Sequence, residues 1–166
     1  MSVPQACRDC DVMVIAAPVD RIAELVLEAA VASPPGCLIT DVGSTKAGIV
    51  AAVSAHRSAS EKFVAAHPIA GSEKTGPEHA RANLFDGKPI VLTPAATTDR
   101  TLREKAERFW RLTGGHTREM QAGEHDAHLA AISHVPHLVS ALVARMAHPQ
   151  ARPLVGSGWT DMTRIA

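Results

Sequence analysis

Four short, nearly unbroken apolar runs constrain this chain more than any other feature: DVMVIAAPV (residues 11–19), CLITDV (37–42), FVAA (63–66) and PIVLT (89–93). Runs of this length, rich in Val and Ile, suit strands buried on both faces of a parallel sheet. Helical stripes lie between them. Residues 20–31 carry apolar side chains at 22, 25, 26 and 29. Residues 46–55 follow Gly43, Ser44 and Thr45, a turn rich in N-cap residues. Residues 98–112 put Leu102, Ala106, Phe109 and Trp110 on one side, and Gly114 and Gly115 end that helix. Strands alternating with helices predict an α/β unit with a parallel sheet and right-handed crossovers. From about residue 120 the pattern is purely helical. Residues 124–147 form one long stretch, closed by Pro149 and Pro153. The expected organisation is a parallel-sheet α/β domain over residues 1–121, followed by the start of an all-α region over 122–166.

Composition excludes several function classes. Basic and acidic residues both number 17, so the formal charge is zero, and no long like-charge block occurs. A nucleic-acid surface and a polybasic membrane patch are therefore not expected. Three Phe, two Trp and no Tyr leave little with which to stack bases. No apolar run is expected to reach the length of a membrane span, and no secretory leader is visible, so the cytoplasm is the expected compartment. Cys7, Cys10 and Cys37 do not make a disulfide framework. The lone CxxC at Cys7 and Cys10 reads as a zinc or redox pair, or as two incidental thiols in a reducing compartment. The second reading is the expectation.

Chemistry concentrates in a few places. The stretch AAHPIAGSEKTGPEHA (65–80) has Pro68, Gly71, Gly76 and Pro77 interrupting every turn, which predicts a loop leaving a strand end. In α/β proteins ligands bind there. His67 opens this loop and reads either as part of an ordinary surface loop or as a proton acceptor, imidazole having its ordinary pKa near neutrality. The turn DVGSTK (41–46) reads as a plain helix cap or as a site that binds anions and orients hydroxyls. His134 and His137, three apart, share a helix face. With Glu124, His125 and His128 nearby they raise the question of a metal, yet no HExxH or comparable ligand pattern occurs, and none is expected. Asp161 and Arg164, also three apart, could pair or meet a substrate carboxylate.

The blocks DVGSTKAGIV, AAHPIAGSEKTGPEHARANLFDGKPIVLTP, EHDAHLAAISHVPHLVSALV and GWTDMTRIA together resemble the successive blocks of the prephenate dehydrogenase family. That family includes arogenate and cyclohexadienyl dehydrogenases of tyrosine biosynthesis. The resemblance runs from about residue 11 to 166. It implies a partial Rossmann-like parallel-sheet domain followed by the start of an all-α substrate and dimerisation domain. It also implies NAD(P)-dependent oxidative decarboxylation of prephenate to 4-hydroxyphenylpyruvate. On this resemblance His67 takes the ring-hydroxyl proton, and Ser44 supports that histidine and the nicotinamide. Pro18, Val42, Gly43 and Ser44 meet the cofactor, NAD or NADP. His134 and His137 line the substrate pocket, Arg164 grips a substrate carboxylate, Asp161 steadies Arg164, and Glu73 sits at the pocket mouth. A homodimer is implied for the full-length protein.

Two departures from the family pattern shape the expectations. No GxGxxG occurs, so the first βαβ unit that cradles the pyrophosphate is expected to be missing. The chain also stops at TRIA, where family members continue through further helices. Leu138, Leu142 and Val143 are then expected to stay exposed, and the chain as it stands is expected to bind cofactor weakly and turn over poorly. Arogenate as substrate, a non-catalytic remnant, a metal-dependent hydrolase and a hydroxyacid dehydrogenase on the same scaffold are the alternatives. The last would not explain the SHVPH and DMTRIA blocks.

Overall fold

Strand residues whose neighbours alternate between two apolar faces need cover on both sides, and this chain supplies it with helices. The computed structural model describes residues 2–71 and 76–166. Its contacts divide the chain into two units, Met1–His125 and Asp126–Ala166. The first unit runs α1 (Val3–Cys7), β1 (Val12–Ile15), α2 (Val19–Ala32), β2 (Leu38–Asp41), α3 (Ala47–Ser54), α4 (Arg57–Ser60) and β3 (Ala65–Pro68). A 3-10 turn (Pro77–His79), β4 (Pro89–Thr93), α5 (Arg100–Leu112), β5 (His116–Glu119) and the start of α6 (Ala122–Leu129) complete it.

β1 pairs in parallel with β2, and β4 in parallel with β5. β2 meets the approach to β3 through a parallel bridge between Ile39 and Phe63. The result is a mostly parallel Rossmann-like sheet, as expected, with five strands where the sequence predicts four. One pair departs from the all-parallel expectation: β3 runs antiparallel to β4. A parallel return needs a crossover, normally a helix. Pro68, Gly71, Gly76 and Pro77 break the helical pattern, and among the described residues the connection holds only the 3-10 turn. β5 is a second difference. Its sequence HTRE is polar and mostly exposed, so no apolar run announces it. Gly114, in the left-handed region at φ +87°, ends α5 and turns the chain into β5.

The core has two layers. Ile15, Ile22, Val26, Ala29, Ile39, Ile49, Val53, Phe63 and Ala65 pack on the α2 and α3 face. Leu38, Val64, Ala66, Ile90, Leu92, Leu102, Ala106 and Trp110 pack on the α5 face. Adjacent strand residues such as Leu38 and Ile39, or Val64 and Ala65, fall into opposite layers, as a two-residue period requires. Trp110 is buried and donates its indole N–H to Thr40 Oγ1 at 3.2 Å. The three cysteines are free thiols. Cys10 Sγ lies 3.6 Å from Cys37 Sγ, and burial first, then the bond to Cys10, pushes the Cys37 thiol up to about 11.

The second unit is helical. A π turn (Ala130–His134), α7 (Val135–Met146), a 3-10 turn (Pro149–Leu154) and α8 (Ser157–Thr163) follow α6. Pro136 explains the π turn: it has no N–H to give, and its ring crowds the carbonyl one turn back, so the helix widens there. The helix Ala122–Met146 has 25 residues and, by length and composition, is apolar enough to cross a membrane. This corrects the expectation that no stretch reaches that length. Leu138 and Leu142 are exposed, as expected, whereas Val143 is half-buried.

Candidate active site

The site is built at the carboxyl end of β2. Asp41 is fully buried there, and a buried carboxylate must find partners. Its Oδ1 accepts the Ala66 N–H at 3.0 Å. Its Oδ2 accepts the Gly43 N–H at 2.9 Å and pairs with Lys46 Nζ. Lys46, equally buried, also donates to the Ala66 carbonyl at 2.9 Å. One ion pair therefore grips both backbone groups of Ala66, the residue before His67. Gly43 is required by this packing: a Cβ would stand 2.7 Å from Ile22 Cδ1 and 2.9 Å from Asp41 Oδ2.

His67 does not open a loop, as the sequence suggested. It lies inside β3, opposite Val91. The Asp41–Lys46 clamp and the pairing to β4 hold this segment extended through Pro68. His67 is half-buried, and His125 in the first turn of α6 is fully buried. His67 Nδ1 and His125 Nε2 are 2.9 Å apart, with the rings edge-on at 71°.

The predicted cofactor residues gather in the same unit. Pro18 caps α2 at the end of β1, and the Val42 N–H donates to the Ile15 carbonyl at 3.3 Å, so the carboxyl ends of β1 and β2 lie side by side. Pro18 and Ser44 are exposed on this ledge, and Val42 is half-buried. Small, exposed groups at adjacent parallel strand ends fit the flat end of a dinucleotide. The predicted substrate residues fall in the second unit. His134 ends the π turn, His137 is in the first turn of α7, Asp161 is in α8 and Arg164 is its C-cap; all four are exposed. Among the described residues no ion pair joins Asp161 to Arg164. Glu73 lies outside the described residues. No group of three or more His, Cys, Asp or Glu among the described residues could hold a metal ion.

Three site residues escaped the sequence reading. Asp41 and Lys46 were seen only as part of a turn. Yet a lysine as the N-cap of α3 opposes the positive end of the helix dipole, which signals a nearby carboxylate. His125 was seen only as one of several histidines, and its pairing with a residue 58 positions away leaves no local signal.

A Rossmann-like α/β unit followed by a helical unit defines a class of proteins that bind nucleotides at their strand ends. Residues 2–119 match the family model described as prephenate dehydrogenase, nucleotide-binding domain. Residues 121–166 match prephenate dehydrogenase, dimerization domain. The chain belongs to the prephenate dehydrogenase family. It is 34% identical to the prephenate dehydrogenase of Bacillus subtilis over 166 residues, which is 96% of this chain and 45% of that protein. It is 30% identical to the cyclohexadienyl dehydrogenase of Zymomonas mobilis over 99% of this chain and 58% of that protein. The crystal structure of prephenate dehydrogenase from A. aeolicus with hydroxyphenyl propionate and NAD+ superposes with a TM-score of 0.86. It is 30% identical, and the match covers 99% of this chain and 59% of that one. The chain thus spans about half the length of the relatives it matches.

Proposed function

We propose that the protein is an NAD(P)-dependent prephenate dehydrogenase, and that this chain carries its reacting histidine. Residues 1–121 form part of the nucleotide-binding domain, and residues 122–166 begin the substrate-binding and dimerisation domain. The observation that carries this reading is His67, set on a rigid strand whose preceding residue is gripped on both sides by a buried ion pair. A base held in one geometry is what removal of a hydroxyl proton requires.

In the reaction, His67 takes the proton of the ring hydroxyl. The hydroxyl carbon loses its hydrogen as hydride and becomes a carbonyl, the ring carboxylate leaves as carbon dioxide with its bonding pair passing into the ring, and the phenolate so formed takes a proton to give 4-hydroxyphenylpyruvate. The nicotinamide cofactor supplies the hydride acceptor. Pro18, Val42, Gly43 and Ser44 form the ledge for it, and Ser44 orients both it and His67. Arg164 binds a substrate carboxylate through paired donors, Asp161 sits beside it on α8, His134 and His137 line the pocket, and Glu73 guards its mouth. A second copy of the chain covers the apolar face of α7, and the enzyme works in the cytoplasm.

The test is a reduced-cofactor absorbance assay with prephenate and arogenate, each with NAD and NADP, on this chain and on the longest reading frame of its gene. Turnover of prephenate is expected. His67→Asn should lower kcat by roughly 10²–10⁴-fold. Arg164→Ala should raise KM by about 10–100-fold, the worth of a hydrogen-bonded charge. A folded full-length protein inert toward both substrates, or an undiminished His67→Asn variant, would overturn the reading.

A further inference from the structure

His67 can act as a base only through a ring nitrogen that carries no proton. Neutral imidazole has one N–H and one lone pair, and the hydrogen bond made by one nitrogen decides what the other can do. Left alone, neutral histidine favours the proton on Nε2, the wrong arrangement for a base that works through that atom. We infer that His125 is a positioning residue: its Nε2, 2.9 Å from His67 Nδ1, holds His67 as the Nδ1–H tautomer and so makes Nε2 the atom that receives the substrate's proton. The inference rests on geometry for the contact between the two rings and on the dehydrogenase reading for the direction of the bond.

Two nitrogens at 2.9 Å must share one proton, because two lone pairs at that distance would repel. If His125 were the donor, His67 would present an Nε2–H to the substrate and could remove nothing. The acceptor role therefore falls to His125. Both rings are fixed well enough for this. The backbone before His67 is clamped by Asp41 and Lys46. His125 has a fully buried side chain, and its backbone N–H is tied to the Gln121 carbonyl at 2.9 Å at the start of α6. When His67 receives the proton, both of its N–H groups become charge-assisted donors, and the bond to His125 strengthens. The pair thus favours the protonated product of the step over its reactant, which is the direction catalysis needs.

The test reads the tautomer directly. Nitrogen NMR of histidine-labelled protein distinguishes Nδ1–H from Nε2–H at His67, with or without turnover. The wild type should show Nδ1–H. His125→Leu should shift His67 toward Nε2–H and lower kcat by about 10–100-fold, with KM within about twofold. His125→Gln keeps a side-chain acceptor and should restore the tautomer and most of kcat. A wild-type His67 carrying its proton on Nε2, or a tautomer unmoved by His125→Leu, would overturn the inference. Should His125→Leu fail to fold, the wild-type tautomer and its retention in His125→Gln decide alone. A correct tautomer in a protein with no dehydrogenase activity would uphold the pairing and remove the dehydrogenase reading instead.

Discussion

The two units bury their side chains very differently. In Met1–His125, the residues of β2, β3 and β4 lie in closed apolar layers on both faces of the sheet. In Asp126–Ala166, Ser140 is the buried side chain among the described residues, while Leu138, Leu142, Met146 and Leu154 are 62–84% exposed. Burial of apolar area is the main force that stabilises a fold. The first unit therefore carries its own stability. The second owes its order to helical hydrogen bonds, and its apolar faces are suited to contact with something else.

The largest test of this contrast is inside the first unit. Asp41→Asn leaves Lys46 buried without its counter-charge, at a cost of about 3–5 kcal/mol. Urea unfolding followed by Trp110 fluorescence should show the loss. A change within error would mean that the pair does not hold the strand end together. Next in size is the second unit. On the proposed dimer, Leu138→Glu with Leu142→Glu should give a monomer in sedimentation velocity, yet leave the unfolding midpoint of the first unit in place. Unaltered assembly would show that this face is not the contact. The smallest effect is expected at the surface. Arg57→Ala breaks an exposed ion pair with Glu61 at 2.8 Å and should leave the midpoint unmoved, since solvent screens such pairs. A clear loss there would blur the distinction between buried and exposed charges.

Much of the architecture is legible in residue pattern. β1, β2, β3 and β4 fall within or beside the four apolar runs, and α2, α3 and α5 fall on the helical stripes. β5 escapes because HTRE has no apolar run to mark it. His67 is legible in the sequence as a candidate proton acceptor but not as a strand residue, because Pro68 and the glycines that follow make its neighbourhood look like a loop. The extended conformation there comes from Asp41 and β4, neither of them adjacent in sequence.

Periodicity and turn chemistry are local properties of the chain, so they decide which segments become helices or strands and which side chains seek the core. Pairing between distant segments is another matter. The antiparallel β3–β4 contact, the grip of Asp41 and Lys46 on Ala66, and the meeting of His67 with His125 all join residues 20 or more positions apart. Such contacts depend on how whole elements pack, and no window of sequence encodes them. The motif around His67 marks it as the candidate reacting residue; its contacts with Ala66's clamp and with His125 emerge only when the sheet is assembled.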